Sequence, residues 1–162
     1  MQPNTYSPLY TNDVSSEYLR DLDQPCHTPE ELAHFHPDVQ AHVRGMEAHV
    51  QAHPAIGIFR MATQGSQTRD GGTVMQGSLP VECTLQDGRK VHGAKVGDRV
   101  EYPDGTQAQI LTGAGKANSH MALVGSRLSN GDEIINTPQN TFMWIAREGW
   151  PWAEDFLPAM EG

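Results

Sequence analysis

Apolar residues follow a helical spacing near the start of the chain and a strand-like alternation in its middle. Apolar residues between Val39 and Val50 recur at intervals of three or four, which predicts a helix from Asp38 to about Ala52. We call this set the helical stripe: Val39, Val43, Met46 and Val50. A second helix is predicted to begin at Pro29, ahead of the one from Asp38, because Thr28 is suited to the N-cap and proline to the first helical position. A short helix is also expected at residues 15 to 22. Beyond residue 55, short alternating stretches between glycines are typical of β-strands.

One short pattern is written three times in this β-rich part. Each copy has an alanine, a glycine three residues later, a second glycine at a turn and then a β-branched residue. The copies are Ala62 to Gly77, Ala94 to Gly113 and Ala122 to Thr137. The two glycines are six residues apart in the first and third copies and eight apart in the second. A repeat shorter than a domain must pack against its sister copies, so three copies predict a pseudo-threefold body.

Each copy is predicted to be a β-hairpin with a tight glycine turn. The turns are Asp70-Gly71-Gly72, Asp104-Gly105 and Asn130-Gly131, and we call these seven residues the turn residues. Glycine supplies the positive φ that a two-residue hairpin turn requires, and the β-branched residues that follow favour strands.

The repeats resemble the PAAR-repeat proteins, which form the tip of the spike in type VI secretion and related contractile injection systems. The resemblance covers about half of the chain, from Phe59 to Gln139. Its most specific segments are Gly71-Gly72-Thr73-Val74, Ala94-Lys95-Val96-Gly97-Asp98, Tyr102-Pro103-Asp104-Gly105 and Ala122-Leu123-Val124-Gly125-Ser126. It implies a small cone whose base sits on a trimeric VgrG-type β-helix. We therefore expect a mainly β, PAAR-like cone that caps such a spike, one copy per trimer. A contractile phage tail is the alternative machine.

The resemblance also implies which residues meet the partner. We expect the base to use strand segments with unpaired backbone groups, which could extend the β-helix of the trimer by strand addition. These six base residues are Met61, Ala62, Gly93, Ala94, Met121 and Ala122. The turn residues are expected to form the exposed point that touches the target membrane transiently. Effector or adaptor proteins could attach through the termini.

PAAR tips are similar to one another in holding a zinc ion near the vertex through histidines and a cysteine. This chain departs from that pattern, because Asp70, the run from Glu101 to Gly105, and Asn130 stand in those places. Carboxylates suit harder cations than zinc. We expect no structural zinc and no cofactor, with side-chain hydrogen bonds and packing in their place.

Composition excludes several other classes of function. The net charge of −9, from 11 basic and 20 acidic residues, argues against a nucleic-acid partner. No apolar run approaches the roughly 20 residues that span a bilayer, and the N-terminus lacks the pattern of a signal peptide. We expect synthesis in the cytoplasm and export on the spike. Two distant cysteines, Cys26 and Cys83, give no sign of a disulfide framework.

The predicted organisation has three parts. Residues 1–54 form an arm and a helical extension, residues 55–139 the PAAR-like domain, and residues 140–162 an aromatic tail. The tail holds Phe142, Trp144, Trp150, Trp152 and Phe156. We expect this tail to pack against the helical extension, because its aromatic side chains and the apolar helical stripe both need cover. The histidines of the helical extension lack the HExxH pattern of a metal site, so we interpret them as a solvent-facing flank.

A small β hydrolase is the alternative from another class of function. It would use a carboxylate and an imidazole among Asp70, Asp98, Asp104, His92 and His120. The chain has no GxSxG elbow and no phosphate-binding GxxxxGK[ST] loop. We therefore expect a binding module without catalytic residues.

Overall fold

The computed structural model describes residues 8–158 and is mainly β, with three α-helices. The helices are α1 (Ser16–Leu22), α2 (Pro29–Ala33) and α3 (Pro37–Ala52). The strands are β1 (Ala55–Arg60), β2 (Thr73–Val74), β3 (Glu82–Thr84), β4 (Lys90–His92), β5 (Arg99–Glu101), β6 (Gln107–Gln109) and β7 (Met143–Arg147). A short 3₁₀ helix covers Lys116–Asn118.

Side-chain caps mark the starts of α1 and α2, and the Thr28 cap of α2 is the one that the sequence predicted. The hydroxyl of Ser15 accepts a hydrogen bond from the backbone N–H of Tyr18 at the start of α1. At α2, Thr28 and Glu31 form a reciprocal capping box. Helix α3 starts at Pro37, one residue earlier than expected, because proline is well suited to the first helical position.

The chain forms two compact units. The helical unit contains Asp13–Ile58 and Ile145–Pro151, and the repeat unit contains Phe59–Trp144 with the described residues 8–12 and 152–158. Strands β1 and β7 pair with each other, and the chain passes between the units within both strands. In the repeat unit, β2, β5 and β6 form one antiparallel sheet, and β3 pairs with β4 in another.

Two buried clusters form the core of the repeat unit. The first is built from alanine and branched aliphatic side chains of all three copies: Ala62, Val74, Ala94, Val100, Ala108, Ile110, Ala122, Leu128 and Ile134. The second contains mostly bulkier side chains: Met61, Leu79, Cys83, Leu85, Val91, Ala114, Met121, Leu123 and Phe156. The thiol of Cys83 is therefore buried, whereas Cys26 in the helical unit is exposed.

The described end of the N-terminal arm is bound to the repeat unit. Tyr10 exchanges both backbone hydrogen bonds with Thr137, at 2.8 and 2.9 Å. The side chain of Asn12 accepts from the backbone N–H of Arg60 and donates to the carbonyl of Val124. The first seven residues of the predicted arm lie outside the described residues.

Most aromatic rings of the tail pack in the repeat unit, and two of the four residues of the helical stripe, Val39 and Met46, stay exposed. Phe142, Trp144 and Trp152 pack against the second buried cluster, and Trp152 stacks on Phe156 at 4.0 Å between ring centroids. The Trp150 ring instead contacts His49 of α3 and His53, the residue that follows this helix. The predicted packing of the tail against the helical region therefore holds for its middle, residues 145–151, and is wrong for Phe142, Trp144, Trp152 and Phe156, which pack in the repeat unit. Met46 of the stripe stays 58% exposed.

Within residues 8–158, no helix has the length and apolar character needed to cross a membrane.

Candidate partner-binding base and turns

The three alanines that open the repeats form a closed ring of backbone hydrogen bonds, which we call the alanine ring. The N–H of Ala62 donates to the carbonyl of Ala122 at 2.9 Å, that of Ala122 to Ala94 at 2.8 Å, and that of Ala94 to Ala62 at 2.8 Å. All three residues are fully buried. The short side chain lets three backbones approach one another this closely, which explains why alanine opens every copy.

The residues beside the alanine ring repeat the same relation. Each residue that precedes an alanine forms an antiparallel bridge with the residue that follows another alanine. The three bridges are Met61 with Leu123, Gly93 with Thr63, and Met121 with Lys95. Each copy therefore contacts both others in the same way.

A second turn, which we call the base turn, links the alanine ring to each hairpin. Its glycine has a positive φ in every copy: 94° at Gly65, 99° at Gly97 and 107° at Gly125. The side-chain oxygen of the residue after this glycine accepts a hydrogen bond from the backbone N–H three positions earlier in the chain. These hydrogen bonds are Thr63 to Ser66 at 3.0 Å, Lys95 to Asp98 at 2.9 Å, and Leu123 to Ser126 at 2.9 Å.

The six base residues come together in the structure, but the mechanism predicted for them is wrong. They are buried, and their backbone groups are already hydrogen-bonded within the chain. The flanking Met61 donates to Phe142 and accepts from the Gln139 side chain, Gly93 bonds Val81 and Leu79, and Met121 bonds Asn118 and Ala114. Met61, Ala62, Gly93, Ala94, Met121 and Ala122 therefore offer no free edge for strand addition.

Each hairpin loop contains three residues rather than the predicted two. The N–H of Gly71 donates to the carbonyl of Thr68, and the N–H of Thr68 donates to the carbonyl of Gly72. The same pair of hydrogen bonds closes the other two hairpin loops, one between Tyr102 and Thr106 and the other between Leu128 and Asp132. Only the last loop residue, glycine in each copy, has a positive φ, as in three-residue hairpin loops that end in a left-handed glycine.

Six of the turn residues are exposed, and Gly72 is the exception. A Cβ atom on Gly72 would lie 2.6 Å from Cγ1 of Val100 and 2.9 Å from Cε1 of Tyr102. The position therefore requires glycine because of space, not because of a positive φ. Asp70, Gly71, Asp104, Gly105, Asn130 and Gly131 lie on the surface.

Tyr102 closes the turn end of the first buried cluster. The second hairpin is longer than the others, and this length carries Tyr102 against the cluster. Its hydroxyl donates a hydrogen bond to the buried Asp132 at 2.6 Å and accepts one from the Asn130 amide at 2.9 Å.

Burial by itself raises the pKa of the Asp132 carboxyl, but hydrogen bonds from Thr68, Tyr102 and the backbone of Glu133 outweigh this effect. The pKa of Asp132 therefore lies below its ordinary value.

This end of the repeat unit does not fit the zinc that the family resemblance implies. Its polar groups are a phenol, a carboxylate and an amide, which are oxygen donors already engaged with one another. Among residues 8–158, no three His, Cys, Asp or Glu side chains are grouped to hold a metal ion. The absence of structural zinc stays a prediction, for elemental analysis of the untagged protein to test.

Sequence reasoning missed one set of surface residues, which we call the exposed triad. Its members follow the buried β-branched residue of each copy: Met75, Leu111 and Ile135. Their exposed fractions are 49%, 42% and 40%. Aligning the three copies on Val74, Ile110 and Ile134 would have found them, because the next position is apolar every time.

The residues of the alternative hydrolase do not meet. His92 contacts the carbonyl of Leu79 and the carboxylate of Glu82. Asp98 accepts hydrogen bonds from Ser78 and from the backbone of Lys95. Within the described part of the chain, no hydrogen bond or ion pair joins either histidine of that set, His92 or His120, to Asp70, Asp98 or Asp104.

Comparisons with protein-family models, curated proteins and solved structures give no match to this chain. The membership suggested by the PAAR-like segments therefore stays a prediction.

Proposed function

We propose that this protein is the tip of a membrane-puncturing spike in a type VI secretion system, where it caps a trimeric VgrG-type β-helix. In this proposal the three copies surround a pseudo-threefold axis and form a small PAAR-like cone. The observation that carries the proposal is the alanine ring. A pseudo-threefold axis would produce this pattern, because the first copy donates a hydrogen bond to the third, the third donates one to the second, and the second donates back to the first.

The partner follows from this arrangement. A single chain with three similar faces matches a partner with three identical chains, because each face can then meet one chain of the trimer. Three modest contacts made together give firm attachment without one large interface. We propose one copy per trimer, with the turn residues at the far end, where they touch the target membrane transiently.

The proposed module is mechanical and has no catalytic residues. The placement of His92 and Asp98, each engaged in separate contacts, supports this proposal over the hydrolase. We further propose that the protein is made in the cytoplasm and leaves the cell on the spike. Effector or adaptor proteins would attach through the termini.

Native mass spectrometry with a trimeric VgrG-type spike protein from the same source tests the proposal. We expect a complex of one copy with one trimer, and no complex with an unrelated trimeric protein of similar charge. Failure to bind any spike trimer from that source would contradict the proposal. Hydrolase activity that disappears in His92→Ala or His120→Ala would favour the alternative.

A further inference from the structure

We propose that the exposed triad of Met75, Leu111 and Ile135 contacts the trimeric partner, with one side chain against each of its three identical chains. This inference rests on the proposed function, since it assumes that a trimer binds. It replaces the buried base residues as the point of contact.

The three side chains occupy equivalent places in the repeats. Each follows a fully or almost fully buried β-branched residue, so the alternation of a strand directs it away from the first buried cluster. The backbone N–H of each donates to another copy. These bonds run from Met75 to Arg99 at 3.1 Å, from Leu111 to Arg127 at 2.8 Å, and from Ile135 to Gln67 at 2.9 Å. The backbone positions of the triad are therefore fixed by the same contacts as the repeats themselves.

The chemistry of the triad is unusual for this surface. Single exposed apolar residues are ordinary on proteins and need no explanation. Among the described residues of the repeat unit, however, the large exposed hydrophobic side chains are Leu9 and the three members of the triad. Each triad member is followed by a polar residue, namely Gln76, Thr112 and Asn136. An apolar side chain at one position of all three copies indicates a contact made three times.

Three identical chains are the occupant that fits this pattern. An oligomer with a threefold axis presents the same pocket three times at equal angles, whereas a monomeric partner or a second copy in a twofold dimer does not. Because the pockets are identical, each must accept Met, Leu and Ile. Unbranched and branched apolar side chains of similar volume exchange with little loss when packing is adaptable.

The test measures the affinity of triad variants for the spike trimer. Met75→Gln, Leu111→Gln and Ile135→Gln are each expected to weaken binding about tenfold, because a little under half of each side chain is available for burial. The triple variant is expected to show no measurable complex. The double variant Met75→Leu with Ile135→Leu, which makes the triad uniform, is expected to bind within about threefold of the parent chain.

Met46→Gln is the matched control, because Met46 is a more exposed methionine on α3 of the helical unit. It is expected to leave the affinity unchanged. Circular dichroism and thermal unfolding of each variant check that the fold is retained, as expected for side chains that are 40% or more exposed.

The outcomes separate this inference from the proposed function. If the parent chain binds no spike trimer, both are overturned. If the parent chain binds and the triple variant binds equally well, the inference alone is wrong. If the triad variants abolish association between copies of this chain but keep the trimer complex, the triad serves a second copy and the inference is also wrong.

Discussion

At the level of single residues, glycine has two different functions in the repeats. In the base turn it provides a backbone conformation: Gly97 has a φ of 99°, and a Cβ atom there would meet nothing within 4 Å. At Gly77 and Gly113 it provides space, because a Cβ atom would lie 2.1 Å and 2.4 Å from a backbone carbonyl oxygen. The spacing of these glycines was visible in the sequence, but the backbones that approach them were not.

The first residue-scale prediction compares two glycines with open space around them. Gly97→Ala is expected to lower the free energy of unfolding by about 1–2 kcal/mol, because alanine is strained at positive φ. Gly45→Ala in α3 is expected to raise it by about 0.5–1 kcal/mol, because alanine favours the helix. Urea denaturation of both variants, followed by circular dichroism, measures the two effects. Equal stability of Gly97→Ala and the parent chain would contradict the assigned function of the base turn.

The second residue-scale prediction concerns pH. The pKa of Asp132 in the folded protein lies below the ordinary value of about 3.9. The ionised carboxylate therefore stabilises the fold above about pH 3.9, and this contribution is lost as the pH falls through the lower, folded-state pKa.

Tyr102→Phe tests this contribution, because it removes one hydrogen bond that lowers the pKa of Asp132. The variant is expected to lose about 1–2 kcal/mol of stability at neutral pH and to begin acid unfolding at a higher pH. Asp132→Asn is the control and is expected to flatten the dependence of stability on pH in this range. If the stability of Asp132→Asn falls with decreasing pH as steeply as that of the parent chain, another group controls the acid dependence.

At the level of elements, the second hairpin differs from its sisters in length and in function. The sequence showed its longer spacing, but the consequence depends on Gly72 in another copy, whose missing side chain leaves room for the Tyr102 ring. A contact between distant copies leaves no local signal. The longer hairpin thus covers the cluster with hydrogen-bonded oxygen groups at the end where the resemblance implied zinc.

The helices differ from the strands in what holds them. None of α1, α2 and α3 has a fully buried residue, so apolar burial stabilises these helices less than it stabilises the repeat unit. The alanine ring, in contrast, is fully buried.

Hydrogen exchange distinguishes these two situations. Backbone amides of α3 are expected to exchange at least about tenfold faster than those of Ala62, Ala94 and Ala122, because opening a helix with no buried residue exposes little apolar surface. Exchange followed by two-dimensional NMR gives both rates in one sample, with the N–H of Tyr10 as an internal comparison. Equal protection of α3 and the alanine ring would contradict the expected difference.

At the level of the whole molecule, local signals were predictable from the sequence and long-range ones were not. The cap of α2 and the glycines at the tips of the hairpins depend on residues within a few positions, and the structure has them where the sequence indicated. The pairing of Met61 depends on Phe142 and Gln139, which belong to a segment that the repeats do not include. These contacts could therefore not be seen from the repeat pattern.

The aromatic tail illustrates the same limit. Its composition predicted that it would be buried, which holds for Phe156. Composition carries no information on which of two apolar surfaces the tail covers. The tail in fact divides, with residues 145–151 in the helical unit and Phe142, Trp144, Trp152 and Phe156 in the repeat unit.

The alanine ring also governs the order of events while the protein is made. Its hydrogen bonds join the first copy to the third as well as to the second, so it cannot close until Ala122 has been synthesised and has left the ribosome. The first two copies alone share a single bond of the ring, from Ala94 to Ala62. Contacts between residues far apart in the chain also form slowly. The repeat unit therefore completes its core only after the third copy has emerged, and a nascent chain that stops before Ala122 lacks two of the three hydrogen bonds of the ring.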